Sequence, residues 1–294
     1  MLKINANAKI NLFLEITGKL PNGYHTVDTV MQSVSLSDLI ELELIPRREG
    51  IKLSCNLSAV PTDERNIAYK TAKAYLEATN ADCGVRINID KSIPSEAGMG
   101  GGSADGAAVL LGLNELCGNL LDICALEKIA SHHGADIPFC IEGGTQRLLG
   151  IGTDSFEKYS SPSLPLVIVK PQSGVSTPQA YRLLDLIFSD FTDHIPMSPE
   201  GLIDFLCGKP GGCSDVLFNR FESVLGEMCP ASKELIEFLR DRSHGSLLCG
   251  SGAALFAVAD SMNHAKSLAD IVKNEYPECS VWTAETVPSG SIIL

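Results

Sequence analysis

A glycine-rich segment followed by an apolar stretch constrains the fold of this chain more than any other feature of its sequence. Residues 93–114 read IPSEAGMGGGSADGAAVLLGLN. Glycine lets backbone N–H groups approach an anion closely, and a following helix presents its free N–H groups and its positive dipole end to the same charge. The pattern therefore predicts a phosphate-binding loop before a helix over about residues 103–117, with Ser103 and Asp105 at capping positions.

This segment matches neither of the two common phosphate loops. It lacks the Gly-Lys-Ser/Thr ending of a P-loop, and after Gly98 and Gly100 the third glycine of GxGxxG is replaced by Ser103. A dinucleotide-dependent oxidoreductase is therefore disfavoured. The loop alone leaves a second interpretation open, which is a glycine-rich turn that binds nothing.

Three polar residues elsewhere could converge on a ligand. Lys9 and Asn11 are two apart on a predicted strand, so both side chains project to the same side. That side is either a binding surface or an ordinary solvated face. Asp136 lies in GADIPFC after a predicted helix, where a carboxylate could serve a ligand, cap the next element or make a turn.

Hydrophobic periodicity predicts an α+β protein. Alternation indicates strands within the first 45 residues and over residues 85–90, and helical spacing indicates a helix over residues 68–79. Further along, the pattern predicts a strand at 166–169, helices near 179–188, 215–228 and 233–240, two short strands, a helix from Met262 and a strand around Val281. Residues 150–165, rich in serine and containing two prolines, are the predicted boundary between the halves.

Composition excludes several classes of protein. The 294 residues carry a net charge of −13, which argues against a general nucleic-acid or anionic-membrane binder. The sequence lacks a signal peptide and a run of eighteen apolar residues, so we expect a cytoplasmic protein with no membrane partner and no evident protein partner. Its ten cysteines form no CxxC pair, and we expect most of them to be buried free thiols without a metal.

Four segments occur in the order typical of one family. They are AKINLFLEITGKLPNGYHTVDTV (8–30), PSEAGMGGGSA (94–104), GADIPFC (134–140) and SLLCGSGAALFAV (246–258). Through them the chain resembles the GHMP kinase superfamily over about residues 6–258, and the first segment points to its branch that acts on a cytidine diphosphate derivative of methylerythritol in the non-mevalonate isoprenoid pathway. The resemblance implies an N-terminal ATP-binding domain over residues 1–152 and a ferredoxin-like α/β substrate-binding domain over residues 153–294. The active site would lie in the cleft between them.

The resemblance also implies catalytic and nucleotide-binding residues. Lys9 and Asp136 would be the catalytic pair, with Asp136 accepting the proton of the attacking hydroxyl and Lys9 keeping that carboxylate ionised. Mg²⁺ would arrive bound to ATP, and no protein ligand for the metal is assigned. The residues implied to contact ATP are Asn66, Lys91, Pro94, Ser95, Glu96, Ala97, Gly98, Met99, Gly100, Gly101, Gly102, Ser103 and Ala104.

The substrate side is implied in the same way. Tyr24, His25 and Tyr181 would stack on and hydrogen-bond to the cytosine ring, and Asn11 and Thr177 would be polar contacts to the substrate. Two alternatives stay open. One is another kinase of the superfamily, acting on homoserine, a mevalonate derivative or a sugar. The other is an inactive relative that only senses a ligand.

Overall fold

The fold is described from a computed structural model that covers residues 1–160, 163–188, 191, 196–210 and 212–294. The described residues form two sheets with helices packed against them, as predicted for the α+β class. Among the described helices, none has the length and apolar character needed to cross a membrane.

The larger sheet has eight strands and is built around one long antiparallel hairpin of β1 and β2. Its members are β1 (Leu2–Lys19), β2 (His25–Ile45), β3 (Ile51–Cys55), β4 (Gly84–Asp90), β5 (Thr145–Leu149), β6 (Asp154–Tyr159), β8 (Phe218–Asn219) and β12 (Ser291–Ile293). The central order is β12-β1-β2-β4-β3, while β5 pairs with β2 and β6, and β8 pairs with β1. Strands from late in the chain therefore complete a sheet that begins at its start.

Four helices accompany this sheet: α1 (Ile67–Thr79), α2 (Gly101–Leu116), α3 (Ile123–Ser131) and α4 (Ile137–Glu142). Helix α2 is central, because ten of its sixteen residues are buried and it packs against α1, α4 and β1. It begins two residues before the predicted start because Gly100 takes the left-handed conformation, at φ 69°, and ends the preceding loop. The apolar run read from the sequence thus forms the core of this half.

The second sheet has four antiparallel strands in the order β11-β7-β10-β9. They are β7 (Pro165–Lys170), β9 (Ser246–Leu248), β10 (Leu255–Val258) and β11 (Ser280–Glu285). The connecting helices are α5 (Thr177–Ile187), α6 (Glu200–Leu206), α7 (Leu225–Met228), α8 (Pro230–Arg240) and α9 (Met262–Glu275). This order, with helices between β7 and β9 and between β10 and β11, is the ferredoxin-like arrangement expected of the C-terminal half.

The predicted helix over residues 215–228 is wrong. That segment contains a 3-10 turn, the short strand β8, a second 3-10 turn and the four-residue α7. The reason is Asn219, whose extended backbone pairs with β1 while its side-chain oxygen accepts from the Phe221 N–H. Tertiary pairing here overrides helical periodicity.

Two other predictions concern the burial of the cysteines and the boundary between the halves. All ten cysteines are free, but only four of them are buried, so the expectation that most are buried is wrong. Part of the predicted boundary, residues 161–162, lies outside the described residues, and β6 within that boundary extends the larger sheet through its pairing with β5. The division at residue 152 stays a prediction.

Candidate active site

A cleft of about 430 Å³ lies where the two sheets meet. Its walls come from β1 and β2, the glycine loop, the start of α4, the start of α5 and the turn between β9 and β10. The predicted site residues that line it are Lys9, Asn11, Lys91, Asp136, Thr177, Tyr181 and the loop residues Pro94, Ser95, Glu96, Ala97, Gly98, Met99, Gly100, Gly101 and Gly102. The loop and the separate polar residues therefore share one cavity.

The start of α2 faces this cleft without a side-chain cap. Gly100 is the N-cap residue and, having no side chain, makes no capping hydrogen bond with the first turn of the helix. The unsatisfied N–H groups and the positive end of the helix dipole are together suited to an anion such as phosphate. The capping role considered for Ser103 and Asp105 is therefore wrong, because both lie inside the helix.

The loop before α2 is held in shape by the second sheet. Gly98 has φ 74°, and a Cβ at this position would lie 1.8 Å from the carbonyl oxygen of Cys249. The Ala253 N–H donates to the Glu96 carbonyl at 3.2 Å. Only glycine permits this approach, so the loop carries its glycines for a packing reason as well as for a ligand.

Lys9 and Asp136 meet beside the start of α2. Lys9 is 5% exposed, and its Nζ lies 3.5 Å from Asp136 Oδ2 and donates to Asn11 Oδ1 at 2.8 Å. Asn11 in turn donates to Thr29 Oγ1 at 2.8 Å. A Cβ on Gly100 would lie 3.0 Å from Lys9 Cγ and 3.8 Å from Asp136 Oδ2. The pair is thus adjacent to the backbone that would hold a phosphate.

The burial of Lys9 and Asn11 and the missing side-chain cap at Asp136 exclude two of the alternatives left open for these residues. Lys9 and Asn11 are buried in the cleft wall, so they do not form an ordinary solvated face. Asp136 is the N-cap residue of α4, yet its side chain makes no capping hydrogen bond. Its carboxylate is directed instead to Lys9.

Lys91 forms a buried ionic cluster beneath the loop. Its Nζ donates to Asp38 and, at 2.8 Å, to Asp105 Oδ2, while Asp38 Oδ1 also accepts the N–H groups of Ser92 and Ile93 at 2.6 and 2.8 Å. Burial raises the pKa of Asp105 to about 8, and the neighbouring Asp38 carboxylate contributes to the increase. The cluster therefore favours the protonated form of Asp105 in the folded protein over that in the unfolded chain.

Three residues of the implied nucleotide site do not line the cleft. Asn66 accepts from the Ala68 N–H and donates to the Pro61 carbonyl, both at 2.8 Å, and so caps α1. Ser103 and Ala104 lie one turn into α2, and Ala104 is fully buried in the core. Asn66 thus caps a helix and Ala104 packs in the core, and their contact with ATP stays a prediction.

The substrate side is built on α5. Thr177 and Tyr181 line the cleft, and Thr177 Oγ1 lies 2.8 Å from Ser251 Oγ. Burial raises the pKa of Tyr181 to about 12, so its hydroxyl stays protonated. His25 stacks on the Tyr181 ring, with centroids 4.5 Å apart, but neither His25, which is buried, nor the 62% exposed Tyr24 lines the cavity.

Sequence reasoning missed the residues that support the site from behind. Asn219 donates from Nδ2 to the carbonyls of Leu248 and Gly250, both at 2.8 Å, and so fixes the turn that faces Lys9. Asp38 was also missed, although it holds the first residues of the glycine loop. Neither residue stands in a recognisable motif, so the sequence offered no local signal for them.

Comparison with known proteins identifies both halves of the chain. Residues 66–144 match the family model described as GHMP kinases N terminal domain, and residues 212–278 match that described as GHMP kinases C terminal. A 4-diphosphocytidyl-2-C-methyl-D-erythritol kinase from Synechococcus sp. (strain JA-2-3B'a(2-13)) is 36% identical, covering 98% of this chain and 94% of that relative. The enzyme of the same name from Clostridium perfringens (strain ATCC 13124) is also 36% identical, covering 99% of this chain and all of that relative.

Solved structures agree with these matches. A crystal structure of 4-(cytidine 5'-diphospho)-2C-methyl-D-erythritol kinase superposes with a TM-score of 0.80 at 30% identity, covering 97% of this chain and 98% of the other. A homoserine kinase from Cytophaga hutchinsonii superposes with a TM-score of 0.75 at 18% identity, covering 100% and 97% of the two chains. The second likeness is one of fold alone.

Proposed function

The chain belongs to the 4-diphosphocytidyl-2-C-methyl-D-erythritol kinase family of the GHMP kinases, and we propose that its cleft binds ATP beside that substrate, with Lys9 and Asp136 at the point of phosphate transfer. The enzyme transfers the γ-phosphate of ATP to the 2-hydroxyl of the methylerythritol part, a step of the non-mevalonate isoprenoid pathway. The observation that carries the assignment of residues is the Lys9–Asp136 contact of 3.5 Å beside the uncapped start of α2.

The glycine loop and α2 would hold the phosphates of ATP. The uncapped N–H groups of α2 supply donors, and Lys9 supplies positive charge at the cleft wall, whereas the charge of Lys91 is paired with Asp38 and Asp105. Mg²⁺ commonly binds through substrate phosphates and one or two carboxylates. We therefore propose that Mg²⁺ enters with ATP and, when bound, neutralises charge on its phosphate oxygens.

The protein residues contribute to catalysis by positioning the substrate hydroxyl and by transferring its proton. Asp136 would orient the substrate hydroxyl and accept its proton as the oxygen attacks the γ-phosphate. Lys9, fixed by Asn11 and Thr29, would hold the Asp136 carboxylate in position and place a cation beside the transferred group. Because Lys9 is only 5% exposed, water screens its charge little, and both interactions are stronger for that reason.

Turnover measurements test the function directly. ADP formation is followed with Mg²⁺ and ATP in the presence of the cytidine diphosphate substrate, homoserine, mevalonate or galactose, each in turn. Turnover confined to the first acceptor supports the proposal. Turnover with another acceptor would keep the kinase and overturn the substrate, and ATP binding without turnover of any would favour a ligand sensor.

Variants test the assigned pair. Asp136→Asn should lower kcat by about 10² to 10⁴-fold, the usual contribution of a general base, with a much smaller change in the KM for either substrate. Asp82→Asn is the matched control, because its side chain is 92% exposed and the change in charge is the same. Unchanged kcat in Asp136→Asn would remove Asp136 from the chemistry.

We also propose a cytoplasmic enzyme whose partners are small molecules. The net charge of −13 opposes association with nucleic acid or anionic lipid, since both carry negative charge. The proposal predicts no retention on DNA-cellulose or on anionic vesicles at physiological salt.

A further inference from the structure

One face of helix α5 carries three functional side chains at intervals of four residues. Thr177, Tyr181 and Asp185 follow one another by one helical turn each, so they lie along the same face. The first two line the cleft. Asp185 continues their row beyond the cleft.

Asp185 joins α5 to the end of the β1–β2 hairpin. Its Oδ1 lies 2.7 Å from His25 Nε2, and its Oδ2 accepts from Lys19 Nζ at 2.7 Å. Lys19 and His25 are directly opposed in the β1–β2 register, so one carboxylate holds both sides of the hairpin. Burial raises the pKa of Asp185, but the hydrogen bonds from Lys19 and His25 outweigh it and lower that pKa, which keeps the group charged.

The imidazole held by Asp185 is part of an aromatic row. The His25 and Tyr181 rings are stacked with an interplanar angle of 19°, and the Tyr181 ring meets Phe221 edge-on at a centroid distance of 5.0 Å. Tyr181 and Phe221 both line the cleft. Phe191 also meets the His25 ring edge-on, at a centroid distance of 5.6 Å, so the carboxylate of Asp185 and this ring together place the imidazole.

A carboxylate bonded to one ring nitrogen of a histidine fixes both the orientation of the ring and the nitrogen that carries the proton. With Nε2–H donating to Asp185, the His25 ring has Nδ1 as its second nitrogen for other contacts. A ring fixed in advance loses little freedom when a flat base binds against the row, which favours affinity.

We propose that Asp185 is a positioning residue of the substrate's base-binding wall, which holds His25 against Tyr181 so that a planar nucleobase meets a preformed stack. This inference rests on the proposed function, because it takes the cytidine part of the substrate as the occupant. Asp185 acts through His25 and does not touch the reacting atoms. Its effect should therefore fall on substrate affinity and spare the chemical step.

Steady-state kinetics with two variants tests this role. Asp185→Ala should raise the KM for the cytidine diphosphate substrate about tenfold, with kcat and the KM for ATP within twofold of the parent. Asp185→Asn should restore most of the affinity, since its amide oxygen still accepts from Nε2–H. Lys19→Met removes the other partner of the carboxylate and should change the substrate KM less than twofold.

Calorimetric titration with cytidine 5'-diphosphate gives a readout that needs no turnover. Its dissociation constant should rise about tenfold in Asp185→Ala and recover in Asp185→Asn. If the parent binds this probe but phosphorylates another acceptor, the proposed function fails while the role of Asp185 can still be judged. Equal binding by the parent and Asp185→Ala, or an equal loss in Lys19→Met, would overturn the role.

Discussion

Asp105→Asn should change how the stability of the protein depends on pH. Asp105 sits in the buried cluster with Lys91 and Asp38, and its pKa is raised to about 8 by burial and by the second carboxylate. In the unfolded chain the same carboxyl group has a pKa of about 3.9. Between these two values the folded protein binds more protons at this position than the unfolded protein does.

The sign and size follow from proton linkage. Because the native state holds the extra proton, the free energy of unfolding falls as the pH rises, by about 1.4 kcal/mol per pH unit from this group alone. Asparagine resembles the neutral acid in shape, its amide oxygen can accept from Lys91 as Asp105 Oδ2 does, and it does not titrate. From pH 5.5 to 7.5 the variant should therefore gain roughly 2 to 3 kcal/mol relative to the parent.

Urea unfolding followed by far-ultraviolet circular dichroism at pH 5.5, 6.5 and 7.5 measures this difference. Asp82→Asn, at an exposed position, is the control and should show no such trend. A difference between Asp105→Asn and the parent that is the same at all three pH values would show that Asp105 is ionised in the folded protein. The account of the cluster would then be wrong.

Two further changes test the packing of the fold. Gly98→Ala should lower the free energy of unfolding by well over the roughly 1–3 kcal/mol that backbone strain at a positive φ costs, because the new Cβ would lie 1.8 Å from a carbonyl oxygen. Gly23→Ala, at φ 88° with nothing within 4 Å of the new Cβ, measures the backbone strain alone in the same urea assay. Arg220→Ala removes the guanidinium that donates to the buried Glu15 at 2.7 and 2.6 Å, and it should lower the free energy of unfolding by about 3–5 kcal/mol. Arg65→Ala, in an exposed ion pair, should lower it by less than about 1 kcal/mol. Equal unfolding free energies within either pair would contradict the packing described.

The parts of the fold predicted from sequence are those with strong local patterns. The alternation of the first two strands, the spacing of α1 and the apolar run of α2 each extend over many residues, so periodicity identified them. Segment 215–228 failed because Asn219 pairs with β1 and with two carbonyls near residue 250, none of which is close in sequence. Helical spacing carries no information about such contacts.

The residues of the candidate site also fall into those that the sequence predicted and those that it did not. Lys9, Asp136 and the glycine loop were predicted through family motifs, and the structure brings them into one cavity. Asp38 and Asp185 were missed because their roles depend on partners across the fold: Lys91 lies on a loop beyond β4 and His25 begins β2. A single acidic residue has no pattern that distinguishes such a role from surface charge.

The contact of the glycine loop with the second sheet has a consequence for how the protein is made. The loop leaves the ribosome long before the turn containing Cys249 and Ala253, against which it rests. Until that turn is synthesised, the nascent N-terminal half lacks the surface that shapes its phosphate-binding backbone. A polypeptide truncated after α4 should therefore bind ATP far more weakly than the full chain, and adding the remaining segment as a separate polypeptide should restore binding if the two reassemble.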